Sequence, residues 1–399
     1  MTGDDQLSDK RSVTRLVVFS DDWGRHPSSC QHLIGHLLDR YPTLWINTIG
    51  MRTPKLSWED AGKISTKLRQ WFTRPTVNTQ MPDRLAVLNP LMYPGFRRRW
   101  QRRLNANLLS QAVDEGLGAR VEGELRIAVT TVPMTADLVG RLDVDRWVYY
   151  CVDDFSVWPG LDCDVLNVMD HELVRRVDAV ICVSETLQQR VVQMGRQSHL
   201  LTHGIDLEHW QKADRSVEHG SQCLPDGWSQ WTKPIALFWG AVDRRLDCNW
   251  CQGLAKHCGT LVLAGPQQSP DPKLRTTNRL VMTGPVPYAD LPVLAQIADV
   301  LVMPYADLPV TRAIQPLKFK EYLATGKPAV VRKLPGTVAW QDAADVVDSL
   351  EQFVQLVAVR AGTGTLPSQR NARARLNAES WASKSTDFEH VLLGHDVGA

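Results

Sequence analysis

The sequence predicts an α/β chain of two doubly wound halves facing a central cleft. Three observations predict it. The chain has 399 residues, which suits two domains or a little more. Short apolar runs rich in Val and Ile alternate with longer amphipathic stretches, as parallel βαβ units require. The alternation stops between about Glu208 and Lys233, a polar stretch holding Gly220, Pro225 and Gly227 that reads as a linker.

In the first half, strands are expected at Leu16–Ser20, Leu44–Thr48, Leu85–Leu88, Ile127–Val132, Trp147–Val152, Ala179–Val183 and His199–Thr202. Helices are expected at Ser28–Leu38, Arg97–Glu115, Cys163–Arg176 and Glu185–Met194, the last with Ser184 as its N-cap. In the second half, strands are expected at Ile235–Trp239, Thr260–Ala264, Leu280–Thr283, Val300–Pro304 and Ala329–Val331. Helices near Asp247–Lys256, Tyr288–Ile297, Pro316–Thr325 and Leu350–Ala361 interleave with them. A second polar stretch, Gly362–Ser368, precedes a final helix. Ligands of doubly wound sheets bind outside the carboxyl ends of the strands.

Composition sets bounds on function. A hydrophobic content of 43% and a charged content of 22% are those of an ordinary globular protein. The net charge of +1 gives no overall electrostatic case for nucleic acid. Residues 1–12 are polar and are expected to be flexible. No apolar leader follows the start, and no run of about 18 apolar residues is present to span a membrane. The eight cysteines are scattered, so reduced thiols in the cytoplasm are the simpler expectation.

The most informative stretch runs from Ile314 to Pro328. Pro316 suits a first helical position, where its missing N–H costs nothing. Gly326 suits the left-handed residue past the end, and Pro328 prevents continuation. Lys318 and Glu321 lie three apart and share one face. The free N–H groups of a first turn, with a lysine, can hold a phosphate. A carboxylate one turn further in can accept hydrogen bonds from a sugar diol. One helix could thus hold both ends of a nucleotide-sugar.

This run resembles the donor-site helix of GT-B glycosyltransferases, in particular the retaining family four of bacterial exopolysaccharide-type enzymes. In that family a Pro-x-Lys-x-x-Glu-Tyr-x-Ala-x-Gly-x-Pro run follows a strand such as Val300–Tyr305. Phe238-Trp239-Gly240-Ala241, Leu263-Ala264-Gly265-Pro266 and Thr283–Tyr288 resemble the next landmarks. So do Asp178–Ser184, His203-Gly204-Ile205-Asp206 and Ser380-Trp381. The resemblance implies two Rossmann-like domains. It divides the chain into a flexible 1–12, an acceptor-side domain 13–207, a linker 208–233, a nucleotide-sugar domain 234–367, and a C-terminal helix within 368–399 that crosses back. It implies a UDP- or GDP-linked sugar as substrate, no cofactor and no metal.

The resemblance also implies site residues. Glu321 would bind the ribose hydroxyls and Lys318 the diphosphate. Arg244 or Arg245, after the Gly240 turn, would face the diphosphate as well. The backbone at Val286 would receive the base. The family's first motif Glu falls on Ala313 here, so Asp307, Thr311 and Gln315 could contact sugar hydroxyls instead. Asp153 and Asp154 would face the acceptor, though a helix cap is an equal reading of them. Asp21, Asp22 and His26, after the first strand, could line the same cleft.

Other patterns have plainer readings. Asp143-x-Asp145 and Asp162-x-Asp164 look like metal motifs but do not end strands. Cys248, Cys251, Ala255 and Cys258 form one helical stripe of small residues rather than a zinc set. Arg97–Arg103 surrounds Trp100 with basic side chains, as suits either an anionic membrane surface or a solvated helix face. The function expected is transfer of a sugar to a polysaccharide or lipid-linked acceptor, in the cytoplasm, either free or against the inner face of the membrane. A nucleotide-sugar epimerase and a non-catalytic nucleotide-sugar-binding protein are the alternatives.

Overall fold

The computed structural model describes residues 13–24, 27–48, 82–211 and 224–395. They fall into two compact units. The first takes the chain up to Cys182, Val191–His199 and the residues from Phe388 on; the second takes Val183–Arg190 and Leu200–Asp387. Residues 1–12, His26 and residues 212–223 of the expected linker lie outside the described residues.

The first unit is built on β1 (Thr14–Ser20), β2 (Thr43–Asn47), β3 (Leu85–Leu88), β4 (Leu125–Thr130), β5 (Arg146–Cys151), β6 (Ala179–Cys182) and β7 (His199–Leu200). They lie side by side in the order β3-β2-β1-β4-β5-β6-β7. Pairing is parallel from β3 across to β6, with Val18 opposite Trp45 on one side and Val129 on the other. β4 and β5 are buried almost throughout, as a parallel sheet covered on both faces demands. Helices Arg99–Leu117 and Cys163–Arg176 fall where the apolar period predicts them, as does Glu185–Gln193, whose first six residues belong to the second unit. Ser184 Oγ accepts from Leu187 N at 3.3 Å, the expected cap.

The second unit repeats the plan with β8 (Ile235–Trp239), β9 (Val242–Asp243), β10 (Thr260–Ala264), β11 (Gln267–Gln268), β12 (Leu280–Gly284), β13 (Val300–Met303), β14 (Ala329–Arg332) and β15 (Asp345–Val347). Its main sheet runs β12-β10-β8-β13-β14-β15. Counted within the unit this is the order 3-2-1-4-5-6, the same order that β3 to β6 form in the first unit. The order reverses between β8 and β13 here and between β1 and β4 there. Such a reversal opens a crevice at the strand ends, because neighbouring connections leave on opposite faces.

Several boundaries differ from expectation. The helix expected at Tyr288–Ile297 is a 3-10 turn, Tyr288–Asp290, followed by an α-helix, Leu291–Ile297. Pro292 lacks an N–H and fits only a first turn, so the α-helix starts beside it. Pro316 is the N-cap of Leu317–Ala324 rather than its first residue; its ψ of 105° is extended. β9, β11 and β15 are two or three residues long, too short to leave a period in the sequence.

The boundary between the units also moves. The turn His203–Asp206 was expected in the first domain but belongs to the second unit. Gln315 Oε1 accepts from His203 N, Lys320 Nζ donates to His203 O, and Ile205 bridges Ser380. The expected linker starts as a helix, Leu207–Gln211, because Trp210 is buried to 1% exposure against Trp239. At the expected boundary and beyond it, the segments Pro367–Ala372 and Arg373–Glu379 stay in the second unit. The last helix, Trp381–Leu393, joins the first unit from Phe388 on. Phe388 packs edge-on against Tyr150 at 5.4 Å, Arg146 donates to Val391 O, and Tyr41 and Arg40 reach Glu389.

Candidate functional site

In the second unit, the chemistry-bearing side chains gather where β8 and β13 end. β8 leads into Gly240 and β13 into Pro304-Tyr305, on either side of the sheet's reversal. Helix Leu317–Ala324 brings Lys318 to this point. Lys318 Nζ donates to Tyr305 Oη at 2.7 Å and sits 4.9 Å from the centroid of the Phe238 ring. A Cβ on Gly240 would meet that ammonium at 2.2 Å. Gly240 has φ +131°, and Gly265, at the end of β10, has φ +152°. A Cβ on Gly265 would meet Gly240 O at 1.9 Å, so the two loops touch backbone to backbone. This leaves an ammonium beside glycine backbone, an arrangement that suits phosphate oxygens.

Glu321 lies one turn deeper and is buried. Its Oε2 accepts from Trp239 Nε1 at 2.8 Å. Burial pushes its carboxyl up to about 7, against the pull of the Trp239 hydrogen bond and the Lys318 charge. An aromatic wall surrounds it. Trp239 stacks on Trp210 at 5.3 Å and meets Tyr322 edge-on at 4.3 Å. Tyr288 stacks on His209 at 4.4 Å, and His209 Nε2 lies 3.2 Å from Tyr288 O. Val286 sits half-buried in the loop that leads to Tyr288.

The two arginines separate. Arg245 is tied to both carboxylate oxygens of Asp243 at 2.8–3.1 Å. Arg244 is exposed, and no ion pair or hydrogen bond of its side chain is present among the described residues. Of the residues expected to replace the first motif Glu, Thr311 is fully buried and its hydroxyl is shared among Leu308 N, Leu308 O and Ala306 O. Gln315 holds His203 N, and Asp307 is held by Arg312. The guanidinium of Arg312 keeps Asp307 below the usual carboxylate range. Each of the three has a structural partner within the unit. Ala313 itself is buried, and its carbonyl accepts from Ser184 Oγ at 2.7 Å.

In the first unit, Asp153 and Asp154 follow β5. Asp154 caps the 3-10 turn Phe155–Val157, accepting from Ser156 N at 3.0 Å. After β1, Asp21 accepts from Ser20 Oγ and Ser28 Oγ at 2.9 Å and from Gln31 Nε2 at 2.8 Å. Three of the four Asp-x-Asp carboxylates are taken by arginines: Asp145 by Arg120, Asp143 by Arg120 and Arg126, and Asp162 by Arg97. Among the described residues, no three His, Cys, Asp or Glu side chains gather as a metal site. Cys251 and Cys258 are buried and Cys248 is half-buried.

Sequence reasoning passed over Trp239, Tyr305 and Trp210 as site residues. Trp239 left one signal, a large aromatic directly before a glycine at a strand end. Trp210 left none, since it stands in a stretch that reads as linker.

No family model matches the chain. The protein "Putative teichuronic acid biosynthesis glycosyltransferase TuaH" of Bacillus subtilis (strain 168) is 23% identical over 363 residues, 84% of each chain. Sucrose-phosphate synthase from Thermosynechococcus elongatus superposes with a TM-score of 0.67 at 14% identity, covering 96% of this chain and 98% of that one. HepE of Anabaena, in complex with UDP-glucose, superposes with a TM-score of 0.65 at 14% identity, covering 95% and 99%. The chain has the GT-B fold. In this GT-B chain the crevice at β8 and β13 belongs to the C-terminal Rossmann-like domain. Lys318, Gly240 and Glu321 are thus the sequence-predicted residues that the fold brings to one crevice. No helix among the described residues is long and apolar enough to cross a membrane.

Proposed function

We propose that this glycosyltransferase moves a sugar from a nucleoside diphosphate-sugar, UDP- or GDP-linked, to a hydroxyl of a polysaccharide or lipid-linked acceptor. One observation carries the reading: a single helix sets Lys318 beside the Gly240 backbone and Glu321 one turn behind it. Lys318, the unpaired Arg244 and the Gly240 backbone would stabilise the charge that grows on the leaving diphosphate. Glu321 would accept hydrogen bonds from the ribose. Asp154 and Asp153 are the candidates for orienting the acceptor hydroxyl. With retention, the donor phosphate itself takes the acceptor proton, which needs no protein nucleophile. No metal is required for these roles. The TuaH relative, named for teichuronic acid biosynthesis, supports an acceptor of the cell-envelope kind.

We further propose a cytoplasmic enzyme that touches the inner face of the membrane through the segment Arg97–Arg103. Arg98, Arg99 and Arg103 have no side-chain ion pair among the described residues. Trp100 and Leu104 are exposed beside them, with Tyr93 5.1 Å from the Trp100 ring. Basic groups around an exposed aromatic suit an anionic bilayer.

Thermal unfolding with UDP, GDP, ADP, TDP and CMP tests the donor site. One nucleotide should raise Tm in the wild type and fail to do so in Glu321→Ala. No response to any nucleotide would overturn the reading. The buried Ala313 at the first motif position favours a second reading, a binding protein without turnover. Donor binding with no nucleotide released in any acceptor mixture would select it.

A further inference from the structure

We infer that Trp239 is a positioning residue for Glu321, its indole N–H holding one carboxylate oxygen so that the other is presented to the ribose diol of the donor. The inference rests on the donor-site reading above and deepens it.

A glutamate that reads a diol must hold one rotamer, because two hydrogen bonds to vicinal hydroxyls tolerate little rotation. Trp239 supplies that constraint. Its Nε1 lies 2.8 Å from Glu321 Oε2. The indole cannot swing away: one face lies against Trp210 in a near-parallel stack, and Tyr322 closes on it edge-on. Trp239 is 3% exposed, so water does not compete for the N–H. The Tyr322 hydroxyl bonds Val302 O at 3.2 Å and lies 3.4 Å from Trp239 N, tying helix, β8 and β13 together. The other carboxylate oxygen, Oε1, accepts no hydrogen bond from the described residues.

The same hydrogen bond favours the ionised carboxylate. Burial favours the protonated acid, and a protonated Glu321 would offer the diol a worse acceptor. Two groups oppose burial: the Trp239 N–H and the Lys318 ammonium. The other titratable groups coupled to Glu321 are the phenols of Tyr288 and Tyr322, both pushed far up by burial and neutral at working pH. Loss of the indole N–H therefore removes one of two supports for the charge.

The test measures UDP affinity by calorimetry from pH 5.5 to 8.5 for wild type, Trp239→Phe and Glu321→Gln, with the best-binding nucleotide of the panel in its place if UDP is not that one. Glu321→Gln reports the titration of the nucleotide's own phosphate. Beyond that background, wild-type affinity should fall on acidification with a midpoint near 7. Trp239→Phe should bind about tenfold more weakly at pH 7, with its midpoint about one pH unit higher, as loss of one charge-assisted hydrogen bond implies. Unchanged affinity and midpoint in Trp239→Phe would reduce Trp239 to packing and overturn the inference. A second readout needs no Trp239 variant: in 15N-labelled wild type, one indole N–H resonance should titrate with the same midpoint and stop doing so in Glu321→Gln. Its absence would equally overturn the inference. A wild type that binds no nucleotide is a different failure, of the donor site itself, and removes the inference with it.

Discussion

A Cβ placed on Gly240 would lie 2.2 Å from the ammonium of Lys318. The clash is with the free end of a flexible side chain, whereas the Cβ of a residue at 265 would strike the Gly240 carbonyl oxygen at 1.9 Å. The two glycines should therefore fail differently. Gly240→Ala strains a φ of +131° and pushes Lys318 aside; it should cost about 1–3 kcal/mol of stability and abolish the Tm response to nucleotide. Gly265→Ala must move backbone and should cost more. Urea denaturation of both variants checks the order.

Lys318→Met should distinguish charge from packing. The methionine keeps an unbranched apolar chain but loses both the ammonium over the Phe238 ring and the bond to Tyr305 Oη. Affinity for nucleoside diphosphate should fall by about 1.5–3 kcal/mol, the worth of a charge-assisted hydrogen bond. Affinity for the corresponding nucleoside should change little. Calorimetric titration with both ligands decides it.

Glu321 gives a stability prediction with an unusual sign for a carboxylate. Its folded value, about 7, lies above the ordinary 4.5, so the folded chain binds this proton more tightly than the unfolded chain. Its stabilising contribution is complete below 4.5 and is lost as pH rises to about 7 and beyond. Glu321→Gln never ionises and escapes that loss. It should be more stable than wild type by up to about 3 kcal/mol at pH 8 and should lose that advantage near pH 4. Urea midpoints at the two pH values settle the sign.

The basic helix start should divide into structural and surface arginines. Arg102 donates to both oxygens of Asp137 at 2.8 Å and pairs with Glu172. Arg102→Gln should lower stability by about 1–3 kcal/mol, since two carboxylates lose their partner. Replacing Arg98, Arg99 and Arg103 with Gln should leave Tm within a degree or two yet reduce co-sedimentation with anionic vesicles. Unchanged sedimentation would remove the membrane from the proposal.

Lys320 is the buried member of the pair of lysines on helix Leu317–Ala324. Its ammonium, pulled down to about 8 by burial against the attraction of Glu379, joins His203 O to Glu379 at 2.6 Å. Lys320→Met should cost about 1–3 kcal/mol, because Glu379 keeps Lys384 at 3.0 Å as a second partner. Nucleotide affinity should stay near wild type, in contrast to Lys318→Met.

Much of the fold could be read from the residues. β8 and β10 fall where apolar runs predicted them, because strands buried on both faces spell out their length. Lys318 and Glu321 were legible because helix spacing is periodic and the stop at Gly326 is explicit. What escaped was whatever tertiary contact alone decides. Trp210 looked like linker until Trp239 covered it, and nothing in the loop's sequence announced the hydrogen bonds that Thr311 and Gln315 make to backbone groups. A polar side chain in a loop carries no mark in sequence that says whether its partner is the protein or a ligand.

The helix Trp381–Leu393 has a consequence for biosynthesis. The first unit includes Phe388, Glu389 and Val391, which contact Tyr150, Tyr41 and Arg146. On the ribosome, β1 to β7 emerge long before these residues do, so the lobe translated first is the lobe finished last. A nascent chain halted at His199 would leave the Tyr150 side of that sheet uncovered and in need of a chaperone, whereas the second unit would already hold all its own residues once Asp387 had cleared the exit tunnel.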